Sequence, residues 1–186
     1  MPEDFVTDEM RSAAKAVNFG IIYGIGAFSL SKDIGVTVAE AKKYIQDYLA
    51  NFPGVEKYMN EVVENGKKDG YVTTMFGRRR YIPELNASNK MLQAFGKRAA
   101  MNAPIQGAAA DIIKIAMVKV YNKLKAEKLD ARLILQVHDE LIIEVSQKDK
   151  DKAAKILGEQ MQNAVKLKVP LNADVNEGDS WYVAKG

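Results

Sequence analysis

Cysteine is absent from the 186 residues, which excludes a disulfide framework, a thiolate nucleophile and a Cys-based zinc site. Histidine occurs once, as His138, so a multi-His metal cluster cannot be built. Glycine (13) and proline (5) are too scarce for collagen. No apolar run approaches the ~20 residues that span a bilayer, so no membrane partner is expected. The start Met1-Pro2-Glu3-Asp4 is acidic and lacks the form of a signal peptide. Together these absences lead to the expectation of a reducing, aqueous, cytoplasmic setting. What remains is 47% hydrophobic and 27% charged, which excludes disorder and supplies a real core. Lys and Arg number 27 against 24 Asp and Glu, a net +3 that is compatible with nucleic acid without demanding it.

The chain reads as alternating helices and short strands without repeats. Thr7 caps a helix that begins with two acids, Asp8 and Glu9, and runs to about Tyr23, where Gly24 and Gly26 punctuate it. A short helix is expected over 27–34. Thr37 and Glu40 form a capping box for a helix to about Phe52. Pro53-Gly54 breaks it, and an amphipathic stretch follows to about Lys68. Residues 71–83 predict a hairpin with Gly77 at its turn. A helix from about Asn89 is expected to stop at Pro104 and resume from Ala108 to Lys128. Two apolar runs, 133–137 and 140–145, flank His138-Asp139 with hairpin spacing. A helix over 148–165 and a short strand near 173–175 complete the reading. The first half is mostly helical and the second α+β.

Four groups of residues could carry chemistry. Arg11, Lys15, Phe19 and Tyr23 recur every four positions, a stripe that drifts slowly around a helix over roughly 18 Å; Asn18 and Ile22 share its sector. Two cations followed by two aromatics suit a ligand with an anionic end and a flat end. Cations near a helix N-terminus oppose the macrodipole, and a triphosphate along this face relieves that repulsion. The same pattern is met by a solvated Arg/Lys edge beside a core stripe of Phe19, Ile22 and Tyr23. His138-Asp139-Glu140 places two adjacent carboxylates at a hairpin tip, where Mg²⁺ is one natural counter-charge and full exposure of a turn is the other. Arg98, Asn102 and Gln106 form a row of donors and acceptors that can follow a minor groove or simply make a polar helix face. Arg78-Arg79-Arg80 after Gly77 suggests phosphate contacts or an exposed basic turn. The spacing Gly20-x-x-x-Gly24-x-Gly26 matches no phosphate-binding fingerprint, since no strand precedes it. The eight methionines are expected to fill core.

Taken in order, these motifs resemble family A DNA polymerases of the bacterial DNA polymerase I type. The resemblance rests on Arg11-x-x-x-Lys15-x-x-x-Phe19-Gly20-x-x-Tyr23-Gly24, Gly77-Arg78-Arg79-Arg80-Tyr81, Asn102-Ala103-Pro104-Ile105-Gln106-Gly107 and Val137-His138-Asp139-Glu140, and extends from about Thr7 to the C-terminus. It implies that Arg11 and Lys15 bind the phosphates of a deoxynucleoside triphosphate, with Lys15 also protonating pyrophosphate. Phe19 and Tyr23 would frame the sugar and nascent base pair. Asp139 would hold catalytic Mg²⁺ with Glu140 beside it, and His138 would lie near the primer end. Arg98, Asn102 and Gln106 would contact primer–template DNA, and Arg78, Arg79 and Arg80 its backbone. The family's second arginine, directly after the first, is Ser12 here.

The resemblance also implies a two-metal attack of a primer 3′-hydroxyl on the α-phosphate, the chemistry of DNA replication and repair. Its second aspartate belongs to an upstream segment that residues 1–10, with Asp4 and Asp8, do not contain. The expectation is therefore an α+β chain with a mostly helical fingers region over 1–97. A partial palm over 98–186 follows, with a small antiparallel sheet covered by helices. Such a chain is expected to be inactive alone and to work in the bacterial cytosol or nucleoid with the remaining palm, thumb and exonuclease-like regions. The rival expectation is a non-catalytic nucleic-acid-binding module.

Overall fold

The computed structural model describes residues 5–185. Met1–Asp4 and Gly186, and with them the reading of the acidic start and of Asp4, lie outside the described residues. The chain divides into two compact units, residues 1–107 and 108–186. Helix α5 (Lys90–Ala126) runs through the division, and the expected boundary after Lys97 falls within the same helix.

The first unit opens with four helices: α1 (Asp8–Ile22), α2 (Ala27–Ile34), α3 (Val38–Asn51) and α4 (Pro53–Asp69). Their starts follow from local chemistry. The Thr7 hydroxyl accepts the Met10 amide at 3.2 Å. In α3 the capping box closes in both directions, Glu40 N–H to Thr37 Oγ1 at 3.2 Å and Thr37 N–H to Glu40 Oε2 at 2.9 Å. Pro53 stands at the first turn of α4, where a missing N–H costs nothing. Strands β1 (Tyr71–Thr73) and β2 (Arg79–Tyr81) pair antiparallel, with Tyr71 opposite Tyr81 and Val72 opposite Arg80. The hydrophobic core joins Val63 of α4, Val72, Ile82, Leu85 and the first turns of α5 through Ala100, Met101 and Ala103. Ile21, Leu30 and Ala41 are buried in the α1–α3 helices.

Helix α5 corrects one expectation. Pro104 does not interrupt it; the helix is continuous over 37 residues. Proline removes one ladder bond and crowds the preceding turn, at about 3 kcal/mol. Burial of Ala100, Met101 and Ala103 against the first core offsets that cost.

The second unit contains the rest of α5, strands β3 (Ala131–Val137) and β4 (Glu140–Val145), α6 (Lys150–Gln162) and a final turn of helix, α7 (Trp181–Lys185). Ala116, Val120 and Leu124 of α5 pack with Leu141 of β4 and with Ala153 and Ile156 of α6, and Leu133, Ile143 and Val145 join them from the sheet. One face of the hairpin is thus covered by helices, as its apolar runs imply. The register slips between Leu133, which faces Ile143, and Leu135, which faces Ile142. Ile134 is the extra residue, and Ile134 and Leu135 remain 49% and 48% exposed.

Three further expectations are corrected. Helix α6 ends at Gln162 rather than about Val165, because the Asn163 side chain donates to the Glu159 carbonyl at 2.8 Å and closes the last turn. No strand forms at 173–175. That segment lies along α6, whose backbone is already paired, so side chains tie it instead: Gln162 Nε2 to the Ala173 carbonyl at 3.2 Å and Lys150 to Glu177 at 3.0 Å. Nor are the methionines uniformly core. Met101 is buried, but Met10, Met75 and Met91 are exposed, the last at 83%.

The second unit has one polar clasp whose loss should be measurable. Lys119 Nζ donates to the Asn163 and Ala164 carbonyls at 2.7 and 2.9 Å, at the end of α6. A cation there satisfies orphan carbonyls and complements the negative end of the helix dipole. Lys119→Met keeps the aliphatic stem and removes the charge. It is expected to lower stability by about 1 kcal/mol in urea unfolding, and an unchanged midpoint would count against the clasp.

Candidate functional site

The cation–aromatic stripe forms on α1 as a solvent-facing surface rather than as a core stripe. Arg11, Lys15 and Phe19 are exposed, Phe19 at 53%, while the inward position is taken by Ile21. The reading of Phe19 as core is thus corrected. It fails because at 100° per residue the buried Ile21 lies about 160° round the helix from Phe19. Phe19 and Tyr23 stand with ring centroids 6.3 Å apart and planes tilted by 32°, two separate aromatic surfaces in sequence along the helix.

The end of α1 is fixed by glycine chemistry. Gly24 N–H bonds the Ile21 carbonyl at 2.9 Å and Ile25 N–H bonds the Gly20 carbonyl at 2.8 Å. Gly24 has φ +75°. This is the Schellman closure, with glycine at the left-handed position. The same residue packs closely on α5, where a Cβ would overlap the Met101 methyl group and approach Arg98 Cγ at 3.5 Å. Sequence reasoning placed Gly24 at the end of this helix and passed over Met101. The helix-terminal glycine was a visible signal, but its closeness to a residue 77 positions later was not.

Arg98, Asn102 and Gln106 all lie on α5, in the row their spacing implies. Gln106 Nε2 donates to the Tyr23 hydroxyl at 3.1 Å, so one member of the row meets the last member of the α1 stripe. Asn102 Oδ1 is buried without a hydrogen-bond partner among the described residues.

The three arginines after Gly77 are used differently. Gly77, at φ +82°, turns the β1–β2 hairpin. Arg78 Nη2 donates to the Gly107 carbonyl at 2.8 Å, bracing the hairpin against α5. Arg79 stacks 4.6 Å from the Tyr71 ring centre, and the Tyr81 phenol beside it raises its pKa further, so it stays cationic. Arg80 is exposed on β2.

In the second unit, Val137 pairs with Glu140, leaving His138 and Asp139 as a two-residue turn. His138 has φ +53°, a region costing a non-glycine residue about 1 kcal/mol or more. Gln136 Nε2 holds the turn by donating to the His138 carbonyl at 2.7 Å. Both turn side chains are exposed. Glu140 is half-buried; its Oε1 lies 3.7 Å from Lys185 Nζ, and its Oε2 is buried without a partner. An orphaned carboxylate oxygen beside an exposed aspartate fits a divalent cation. Among the described residues no group of three His, Asp or Glu converges on one point.

The sequence profile of DNA polymerase family A matches residues 1–183. DNA polymerase I of Bacillus subtilis strain 168 is 51% identical over 183 residues, 98% of this chain and 21% of that protein. The Bacillus caldotenax DNA polymerase I is 48% identical over the same length and shares. The chain thus spans about a fifth of the length of these relatives. A solved structure, the POL domain of Pol1 from M. smegmatis in complex with DNA primer-template and dNTP, superposes with a TM-score of 0.94 at 44% identity. The match covers 100% of this chain and 33% of that one. No described helix is long and apolar enough to cross a membrane. A profile that matches almost end to end agrees with four motifs in order, and the chain belongs to DNA polymerase family A.

Proposed function

We propose that the chain supplies the nucleotide-binding helix, the duplex-contacting row and one part of the metal site of a DNA-directed DNA polymerase. The reaction is template-directed transfer of a nucleotide from a deoxynucleoside triphosphate to a primer 3′-hydroxyl, serving replication and repair. The observation that carries this reading is the Gln106–Tyr23 hydrogen bond. It joins the base-pair end of the nucleotide stripe to the groove-contacting row, the junction at which an incoming nucleotide meets a duplex.

In this reading Arg11, near the positive end of α1, and Lys15, one turn further along, pair with the triphosphate. Lys15 gives its proton to the departing pyrophosphate. Phe19 and Tyr23 flank the sugar and nascent pair. Arg98, Asn102 and Gln106 follow the primer–template minor groove, the Asn102 acceptor meeting a donor there. Arg80, Arg79 and the backbone-braced Arg78 neutralise phosphates, and His138 lies by the primer end. Asp139 with Glu140 would hold Mg²⁺, which when bound supplies Lewis-acid stabilisation of charge on the reacting phosphate. The reading also includes the rest of the palm, the thumb and the exonuclease-like regions as partners, and a bacterial cytosolic setting.

The 186 residues hold no second aspartate segment of the family kind, so the chain by itself is expected to give no primer extension with Mg²⁺ and all four nucleotides. It should still bind primer–template DNA, weakening about tenfold or more between 50 and 200 mM salt if two or three phosphates are neutralised. Robust extension would overturn the inactivity, and unchanged gel mobility with DNA at low salt would overturn the duplex surface.

A further inference from the structure

The direction of an exposed lysine or arginine on a helix is set by the orientation of the helix itself. A roll of about 20° about the axis carries a side-chain tip about 2 Å along the circumference, more than a charge-assisted hydrogen bond tolerates. Helix α1 therefore needs something to fix its roll. The Tyr48 hydroxyl of α3 donates to Asn18 Oδ1 at 2.8 Å, across 30 positions of sequence. Tyr48 is half-buried and its ring packs on Phe52 at 4.9 Å, so the hydroxyl is presented from a supported side chain. Asn18 lies within the functional sector of α1, about 20° of arc from Arg11 and about 60° from Lys15, and next to Phe19. Ile21, one turn further along and about 60° round the helix from Asn18, is buried. The contacts at the end of α1, from Gly24 and Tyr23, hold one end of the helix; the Asn18 tether beside the Ile21 anchor holds the roll where the stripe lies.

We propose that Tyr48 is a positioning residue for the nucleotide-binding face. Through Asn18 it fixes the roll of α1 and so the directions of Arg11, Lys15 and Phe19. This rests on the nucleotide reading of α1 given above, and it assigns Tyr48 a role in affinity without contact with the nucleotide.

The test is equilibrium dialysis of the 186-residue chain with Mg²⁺ and dATP. Tyr48→Phe, which removes only the hydroxyl, and Asn18→Leu, which removes the acceptor at similar volume, are each expected to weaken binding about three- to tenfold. The double variant should be no weaker than either alone, because both break the same link. Hydrogen exchange should quicken in α1 of Tyr48→Phe and stay unchanged in α4. A purely structural tether would lower the melting midpoint and leave dATP affinity of the folded chain within twofold, which would overturn the proposal. Additive losses in the double variant would do the same. Arg11→Ala with Lys15→Ala separates the two readings. If that pair weakens dATP and Tyr48→Phe does not, only the Tyr48 role falls. If neither matters, or the wild-type chain does not bind, the nucleotide reading falls with it.

Discussion

Replacing Asp139 by alanine in a full-length polymerase that contains this segment is expected to reduce primer extension by at least about a thousandfold. That factor corresponds to the several kcal/mol of charge stabilisation that a held metal supplies. Folding should be nearly untouched. Asp139 is exposed at the second position of a two-residue turn, and the strained position belongs to His138. The hairpin register is secured by the β3–β4 pairs and by the Gln136 bond to the His138 carbonyl. A surface substitution of this kind changes stability by about 0.5 kcal/mol or less. The informative result is a separation: extension lost, while melting midpoint and DNA affinity are retained. A non-catalytic DNA-binding module would keep all three. Extension within tenfold of wild type would therefore remove Asp139 from the metal site.

Replacing Gly24 by alanine should be the most destabilising single change at the end of α1, at about 2–4 kcal/mol. Two costs add. A Cβ at φ +75° incurs about 1–2 kcal/mol of left-handed strain. The same Cβ overlaps the Met101 methyl group in a buried cluster, and overpacking a core costs about 1–3 kcal/mol. Because methionine is flexible, some of the second cost relaxes. Met101→Ala should therefore recover part of the loss in the double variant, leaving the backbone strain behind. Far-UV circular dichroism during urea unfolding measures the ladder. A Gly24→Ala chain as stable as wild type would show that neither the turn nor the packing constrains α1.

These substitutions also mark how much could be read from the sequence. The caps at Thr7 and Thr37, the proline start at Pro53 and the turn at Gly77 are local, and each stands where its chemistry puts it. The stripe on α1 and the row on α5 follow from helical spacing alone. Local rules failed where a distant neighbour decided the outcome. Pro104 is tolerated because the turns before it are buried against α4 and the β1–β2 hairpin. Residues 173–175 have strand composition but meet a helix, which offers no ladder. Arg78 looked equivalent to its two neighbours, yet it is committed to the Gly107 carbonyl 29 positions away. Tyr48 gave no signal at all, since its partner is on another helix. The site was legible as a set of residue types in order; its bracing was not.

The bulge at Ile134 has a bearing on the edge of its sheet. It turns two large aliphatic side chains outward on a two-stranded sheet. Among the described residues no further strand pairs with β3, so its outer row of amides and carbonyls is open beside the run Leu133-Ile134-Leu135. Only Arg132 supplies charge within that strand. An edge of this kind is a template on which a further strand can add, built from the same pleat that holds the carboxylate turn in place.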